Sequence, residues 1–372
     1  MRAIFLMTFI LACVSLFSQS KTSRDKVLMV VSSYGDGSGA VRPGYEFDEF
    51  SQAYLVFKNN GLEVDIASPK GGKVEADQYN QEKEYNKALA ADIAIQNKLE
   101  NTLPTASIDP DDYDAVYIVG GKGAMFDLPY DPSLQDIILN LYQREGAVIS
   151  SVCHGPAAFA NVKNGEEYII KDVEVTGFTN QEEALFGKKW VKEFSFMLED
   201  KLQSRGAIFK QADFMLANVA VSGKFITGQN PFSTAWSAEE VVKALGIEPV
   251  ERKLYADEKS IYLIQDVLDG KVSLASAEKD LEANNESFDM PLMAIYGYYK
   301  ILASGDDQEG LIQGVQVIEL TSPYFFDENL QFMLAKTYIS IEDKKKAKKV
   351  LNDLIKREVL VEQAEQLLKE IS

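Results

Sequence analysis

The chain has 372 residues, a net charge of −19 at pH 7 and 46% hydrophobic residues. This length exceeds a typical domain of ~100–150 residues, so two folded domains are expected. The hydrophobic content suffices for packed cores and argues against a disordered chain. Because a strongly acidic surface repels phosphate backbones and anionic lipid headgroups, neither nucleic acid nor a membrane surface is expected as a partner.

The first 20 residues have the pattern of a secretory signal peptide. Arg2 precedes an uncharged apolar run from Ala3 to Phe17, and the polar stretch at 18–20 follows it. The run is shorter than the ~20 residues that a membrane-spanning helix needs. We therefore expect cleavage near residues 18–20 and a secreted or periplasmic protein.

The chain has two cysteines, Cys13 within the apolar run and Cys153. Cys13 lies early in the run and more apolar residues follow it, so we do not expect a lipoprotein. Cleavage would leave Cys153 as the only thiol of the mature chain, and no intramolecular disulfide could then form. Such a thiol is either buried and inert or retained for its reactivity, and its surroundings decide between the two.

Strands and helices are predicted to alternate up to about residue 250. Helical periodicity occurs at 46–60 and 134–145, and the polar stretch 69–110 is interpreted as an insertion with weak helices. Three apolar runs predict buried strands at 26–31, 115–119 and 147–152, and an alternating pattern predicts a fourth strand at 62–67. The alternation is typical of an α/β fold with a doubly wound, mostly parallel sheet, in which the chemistry lies at the carboxyl ends of the strands.

From about residue 252 the sequence is rich in Leu, Ala, Glu and Lys and has few glycines. Helices are predicted at 260–268, 274–284, 292–303, 308–320, 328–339 and 344–355, with a last one ending near residue 371. Two blocks about 37 residues apart resemble each other, close to the ~34-residue period of tetratricopeptide-like hairpins. Two interpretations stay open: a repeat-like domain at 252–372 that binds a protein partner or a second copy of the chain, and an irregular helical cap on the α/β domain at 26–248.

The strongest local feature is the segment 147–159, in which an apolar strand runs directly into Cys153-His154-Gly155-Pro156. A nucleophile between a strand and a helix is typical of α/β hydrolytic enzymes, because the tight turn exposes its side chain. The helix N-terminus would favour the thiolate and lower the thiol pKa from ~8.5 into the range ~3.5–7.5. His154 is the only histidine of the chain, so it cannot form a metal site with two histidines.

Five ordered segments make the sequence resemble a known family: 44–49 (GYEFDE), 120–127 (GGKGAMFD), 151–156 (SVCHGP), 175–183 (VTGFTNQEE) and 226–232 (ITGQNPF). Residues 26 to about 246 resemble the ThiJ/PfpI superfamily, which is related to class I glutamine amidotransferases and is flavodoxin-like in fold. The similarity is closest to its heat-shock chaperone/glyoxalase III branch. The resemblance does not extend into the helical tail.

The resemblance implies a role for four residues. Cys153 would be the nucleophile, His154 its triad partner, and Glu183 the acidic third member that orients the imidazole. Glu49 would be the carboxylic acid that sits against the thiol and exchanges protons with the substrate. Three nearby acidic residues are interpreted as ordinary charges on a solvent-facing helix or loop: Glu46, Asp48 and Glu182.

The resemblance also implies an oxyanion hole. The backbone N–H groups of Gly121, Lys122 and Gly123, with that of His154, would form it. Lys122 departs from the family pattern, because many members of this branch have a histidine after the Gly-Gly pair. The chain also lacks the histidines with which some members bind a metal. We therefore expect neither a metal nor a cofactor.

The function implied is that of a cofactor-independent glyoxalase III-type lyase. A 2-oxoaldehyde such as methylglyoxal would form a hemithioacetal with Cys153, and Glu49 or His154 would move a proton so that a 2-hydroxy acid is released. A protein deglycase and a cysteine peptidase or amidase of the same superfamily would use the same turn. A stress chaperone or redox sensor would instead depend on oxidation of the thiol.

Overall fold

The computed structural model describes residues 26–187 and 189–371. The predicted signal peptide and Cys13 lie outside these residues. In the two described ranges, no helix is long and apolar enough to cross a membrane.

A seven-stranded sheet forms the centre of the α/β domain, with the strand order β10-β11-β5-β4-β1-β2-β3. All neighbours pair in parallel except β10 and β11, which are antiparallel. Two further two-stranded sheets pair β6 with β7 and β8 with β9. The strands are β1 Lys26–Val30, β2 Glu63–Ser68, β3 Leu103–Pro104, β4 Ala115–Ile118, β5 Val148–Val152, β6 Lys163–Asn164, β7 Glu167–Tyr168, β8 Glu174–Val175, β9 Ile208–Phe209, β10 Val219–Ser222 and β11 Phe225–Gly228.

The apolar runs form the inner strands because helices cover the sheet and keep water away from them. Met29 of β1 pairs with Ile66 on one side and with Tyr117 on the other, and all three side chains are buried. A strand buried on both faces reads as a continuous apolar run rather than as an alternating one. The four predicted strands and the predicted doubly wound, mostly parallel sheet are confirmed.

Seven α-helices are described in this domain, and α1 packs against α7 while α4 packs against β4 and β5. They are α1 Phe47–Asn59, α2 Glu84–Ala90, α3 Ile93–Glu100, α4 Pro132–Gln143, α5 Asn180–Phe186, α6 Leu198–Ser204 and α7 Thr234–Ala244. The polar stretch after β2 contains α2, α3 and the edge strand β3, as the weak helical pattern there predicts.

The C-terminal part is helical throughout, in agreement with the sequence pattern. Its α-helices are α8 Ala256–Leu268, α9 Leu274–Asn284, α10 Met290–Ser304, α11 Gln308–Thr321, α12 Glu328–Ser340, α13 Lys344–Lys356 and α14 Val361–Glu370. Consecutive helices pack as pairs, α10 with α11 and α12 with α13. The tetratricopeptide-like interpretation stays a prediction.

The helical tail shares a hydrophobic cluster with the α/β domain. This interdomain cluster joins the buried segment 214–217 to side chains of α8 to α11, and Leu185, Phe186 and Phe232 pack against it. Phe214 stacks on Tyr296 with ring centroids 5.4 Å apart. The predicted domain boundary at 248–252 lies between α7 and α8, and the continuous cluster favours the interpretation of the tail as a cap on the α/β domain.

Polar contacts join the same two parts. Asp257 of α8 accepts hydrogen bonds from Lys83 Nζ at 3.0 Å and from Tyr85 Oη at 2.6 Å. Lys83 also pairs with Asp48 of α1 at 2.7 Å. The insertion between β2 and β4 therefore connects the start of α1 to the start of the tail.

Candidate active site

Cys153 lies at a sharp turn directly after the central strand β5. Its backbone has φ = 59°, a left-handed conformation that residues with a Cβ rarely adopt. Cys153 N–H donates to Gly228 C=O at 2.9 Å, and Phe178 N–H donates to Cys153 C=O at 2.8 Å. The side chain is only 4% exposed. The tight turn predicted from the sequence is present, and neighbouring backbone fixes it on both sides.

The element after this turn differs from the prediction. Gly155–Phe159 forms a five-residue 3₁₀ helix, not an α-helix. The chain turns again at 160–161 towards the hairpin of β6 and β7, and 3₁₀ geometry is usual in such short pieces. Because the macrodipole of a short element is small, its N-terminus gives a thiolate little stabilisation.

Cys153, His154 and Glu183 form a hydrogen-bonded chain. Cys153 Sγ lies 3.3 Å from His154 Nδ1, and His154 Nε2 lies 2.5 Å from Glu183 Oε1. Glu183 is in the first turn of α5, which begins with a capping box at Thr179. The ring of Phe178 packs against the imidazole with a centroid distance of 4.6 Å. One imidazole nitrogen thus faces the thiol and the other faces the carboxylate, an arrangement in which the imidazole can accept the thiol proton.

Glu49, in the first turn of α1, is fully buried beside the thiol. Gly120 N–H donates to Glu49 Oε2 at 2.8 Å, and the carboxyl interacts with the thiol of Cys153. Position 120 has room only for glycine, because a Cβ there would lie 2.7 Å from Glu49 Oε2 and 2.8 Å from Cys153 Cβ. The Gly-Gly loop after β4 therefore allows the carboxyl and the thiol to approach each other.

The thiol pKa is raised, in contrast to the lowering expected from the sequence. Burial raises the pKa of the Cys153 thiol well above its usual value, and the neighbouring carboxyl of Glu49 raises it further. Burial likewise raises the pKa of Glu49 well above its usual value, and the carboxyl of Glu46 adds to this increase. Both shifts favour the protonated forms of the thiol and the carboxyl.

The predicted oxyanion hole is only partly at the site. Gly121 and Lys122 line the cavity with Cys153. Gly123 N–H instead donates to Gly44 C=O at 2.9 Å, so this amide is already engaged. The loop therefore brings two of its three predicted residues to the cavity, and Gly123 holds the loop against the segment that precedes α1.

The three acidic residues interpreted as solvent-facing charges have other environments. Asp48 accepts hydrogen bonds from Lys83 Nζ at 2.7 Å and Asn86 Nδ2 at 2.6 Å. Glu182 is buried, and Glu46 lines the cavity. The interpretation was wrong because sequence periodicity places a residue on a helix without showing which distant loop lies against it.

Glu182 connects the segments that form the cavity wall. Its Oε1 accepts hydrogen bonds from Met215 N–H at 3.0 Å and from Asn230 Nδ2 at 2.9 Å. Its Oε2 accepts one from Thr179 N–H at 3.0 Å. Since Met215 and Asn230 both line the cavity, this carboxyl holds two segments of the cavity wall together.

The cavity that contains Cys153 has a volume of about 240 Å³. Several of its lining residues were not singled out from the sequence: Asp77, Phe178, Phe186, Met215, Asn230, Pro231 and Phe232. Four of these, at 178 and 230–232, lie within the segments that resemble the family, which is the signal that could have identified them. The other three lie in loops or at a helix end and carry no local pattern.

Comparison with known proteins identifies the α/β part of the chain. Residues 40–244 match the model of the DJ-1/PfpI family. Glyoxalase 3 of Candida albicans is 32% identical over 234 residues, which cover 59% of this chain and 98% of that protein. Glutathione-independent glyoxalase HSP31 of Saccharomyces cerevisiae is 28% identical over 242 residues, which cover 59% of this chain and 98% of that protein.

Solved structures give the same result. The rapid encystment protein of 24 kDa from Francisella tularensis superimposes with a TM-score of 0.56 at 32% identity, covering 59% of this chain and 98% of that one. Glyoxalase III of Candida albicans superimposes with a TM-score of 0.55 at 28% identity, covering 60% of this chain and 98% of that one. The resemblance to the ThiJ/PfpI superfamily and its glyoxalase III branch, with a helical extension, is confirmed. Because the family model spans more than half of the sequence and the fold agrees with it, the chain belongs to the DJ-1/PfpI family.

Proposed function

We propose that this protein is a glutathione-independent glyoxalase that converts 2-oxoaldehydes such as methylglyoxal to 2-hydroxy acids without a cofactor. The observation that carries the proposal is the hydrogen-bonded chain of Cys153, His154 and Glu183, with Glu49 beside the thiol, at a small cavity. Relatives named glyoxalases, similar over this same domain, support it.

The reaction begins with attack of Cys153 Sγ on the aldehyde carbon. His154 Nδ1, 3.3 Å from the sulfur, accepts the thiol proton, and the carboxylate of Glu183 at Nε2 stabilises the imidazolium. As the S–C bond forms, the aldehyde oxygen becomes an alkoxide, and the loop at Gly121 lies against the same cavity to stabilise it. Protonation of the alkoxide gives the hemithioacetal.

The second stage is an internal isomerisation. A base removes the proton from the former aldehyde carbon, C1, to give an enediolate, and the proton is delivered to the neighbouring carbon, C2. C1 is thereby oxidised to a thioester while C2 is reduced to an alcohol, so neither an external oxidant nor a reductant is needed. Water then attacks the thioester with His154 as base, which releases the 2-hydroxy acid and restores the thiol.

The size and lining of the cavity favour a small substrate. A volume of about 240 Å³ accommodates a molecule of a few heavy atoms, whereas pockets for drug-sized ligands span about 300–1,000 Å³. Phe178, Phe186 and Phe232 line the cavity beside Cys153 and give it an apolar wall. A 2-oxoaldehyde therefore fits this site better than the protein substrate of a peptidase or a deglycase.

The test measures 2-hydroxy acid formed from methylglyoxal by purified protein in the absence of glutathione. We expect turnover by the wild type and a loss of about 10³-fold or more in Cys153→Ala, because the nucleophile is removed. Near-UV circular dichroism of both proteins controls for folding. A wild type that forms no product, or a folded Cys153→Ala variant with full activity, contradicts the proposal.

A further inference from the structure

Part of the cavity wall also belongs to the interdomain cluster that the helical tail shares. Phe186 at the end of α5, Met215 and Phe232 line the cavity that contains Cys153. Met215 is a buried member of the interdomain cluster, and the two phenylalanines pack against it. The cavity wall and the tail therefore have a layer of apolar side chains in common.

The contact at Phe186 is made by Tyr299 of α10. The two ring centroids lie 4.9 Å apart with an interplanar angle of 76°, an edge-to-face arrangement that aromatic pairs prefer. Phe186 is among the described residues that line the cavity and Tyr299 is not. The tyrosine ring thus supports Phe186 from a side that faces away from the cavity.

Helix α10 also fixes the segment that carries Met215. Lys300 forms an ion pair with Asp213, and Tyr296 stacks on Phe214 with ring centroids 5.4 Å apart. Met215 itself has φ = 60°, a left-handed conformation that strains a residue with a Cβ and persists only where the surrounding contacts hold it. Two consecutive residues of this segment thus contact the tail, and the next one lines the cavity.

The support given by α10 is rigid because α10 and α11 pack closely. A Cβ at position 297 would lie 2.9 Å from Gly314 C=O and 2.7 Å from Ile318 Cγ1, so the two helix backbones approach each other at Gly297. Closely packed interiors have a low compressibility. The wall residues supported by α10 therefore cannot move back easily when a larger molecule enters the cavity.

We propose that helix α10 of the tail sets the size of the substrate cavity and thereby restricts the enzyme to small 2-oxoaldehydes. The choice of substrate in this inference rests on the glyoxalase function proposed above. Tyr299 is a positioning residue, which acts through Phe186 without touching the substrate. An alkyl compound such as methylglyoxal fits beside the fixed wall, whereas an aryl compound such as phenylglyoxal requires Phe186 to move towards Tyr299.

A purely structural tail would behave differently when its contacts are weakened. Loss of stability, or a small displacement of Glu183 on the same short helix as Phe186, changes the turnover of all substrates alike. A change in cavity size instead alters the activity on a large substrate relative to a small one. The ratio of kcat/KM for phenylglyoxal to kcat/KM for methylglyoxal therefore separates the two roles.

The experiment measures this ratio in the wild type and in variants of the tail. Tyr299→Ala should raise the ratio by at least about tenfold, the discrimination that a small change in an apolar pocket produces. Tyr299→Phe keeps the ring and should restore the wild-type ratio. The matched control is Tyr338→Ala, which removes a tyrosine from the tail cluster whose buried members all lie between Ala294 and Ile371. This control should leave the ratio unchanged.

Alkylation of Cys153 tests the cavity size without turnover. Iodoacetamide and the larger iodoacetanilide carry the same reactive group, and mass spectrometry of the peptide that contains Cys153 gives both rates. The rate with iodoacetanilide relative to that with iodoacetamide should rise in Tyr299→Ala and stay constant in Tyr338→Ala. Circular dichroism controls for folding, and Tyr299→Leu replaces Tyr299→Ala if the latter does not fold.

The outcomes separate this inference from the proposed function. Unchanged ratios in the folded variant of Tyr299, or an equal increase in Tyr338→Ala, overturn the inference, and turnover by the wild type then leaves the glyoxalase function in place. A wild type that turns over neither 2-oxoaldehyde overturns the proposed function. The alkylation rates still decide in that case whether α10 sets the size of the cavity.

Discussion

Replacing Glu182 by alanine should destabilise the protein strongly, because this carboxyl accepts hydrogen bonds from the N-cap of its own helix and from two distant segments. The substitution leaves the N–H groups of Thr179 and Met215 without their acceptor in a buried region and removes one of the two acceptors of the Asn230 amide, which keeps its hydrogen bond to Leu216 C=O. Each stranded buried donor costs about 1–3 kcal/mol. Water entering the space of the lost side chain offsets part of this, so we expect the free energy of unfolding to fall by about 3 kcal/mol.

Thermal unfolding followed by circular dichroism measures the effect. A loss of about 3 kcal/mol corresponds to a Tm lower by about 4 °C for a chain of this size, because the entropy of unfolding is about 2.1 cal/mol/K per residue near the Tm. Glu182→Gln retains one oxygen acceptor and should show a smaller decrease. Glu167→Ala, which removes an exposed ion pair with Lys171, is the surface control and should change stability by less than about 0.5 kcal/mol. A Tm of Glu182→Ala within 2 °C of this control would refute the role of the carboxylate as a shared acceptor.

Three further predictions concern the triad, the tail and the N-terminus. Glu183→Gln should lower turnover by about 10²–10⁴-fold and slow the alkylation of Cys153 by iodoacetamide, because the imidazole that accepts the thiol proton loses its orienting carboxylate; unchanged kcat would contradict this. The fragment 26–250 should precipitate, or unfold at a temperature well below that of the full chain, because it exposes the interdomain cluster. Equal Tm values for the fragment and the full chain would instead support a separable module. Mass spectrometry of the exported protein should find the N-terminus near Lys21 without a lipid, and an acylated Cys13 as the first residue would contradict this prediction.

Sequence patterns located the sheet and the helical tail because burial leaves a direct trace in composition. The buried strand β5 is an apolar run, and the tail helices α9 and α11 begin where the periodicity places them. The residues that form the triad were also identified, since they lie in segments that resemble the family. The roles of Cys153, His154 and Glu183 remain predictions, but the structure brings their side chains together.

Features that depend on contacts between distant segments were not predictable in this way. The environment of Glu46 arises from Asp77 and from Gly120 and Lys122 of the Gly-Gly loop, two segments that lie far from it and from each other in the sequence. The raised thiol pKa results from the same convergence of carboxyls, whereas the sequence suggested only the local effect of a helix end. The interdomain cluster, which contains Phe214 and Tyr296, likewise joins the α/β domain to the helical tail, two parts that differ in composition.

The left-handed backbone conformation of Cys153 lowers the stability of the protein at the residue that is proposed to be its nucleophile. At φ = 59° a residue with a Cβ is strained by about 1 kcal/mol or more, while glycine adopts this conformation freely. Glycine at this position would therefore give a more stable but inactive protein, and Cys153→Ala would keep the strain without the chemistry. The side chain that would carry out the chemistry is thus the same one that strains the backbone at this position.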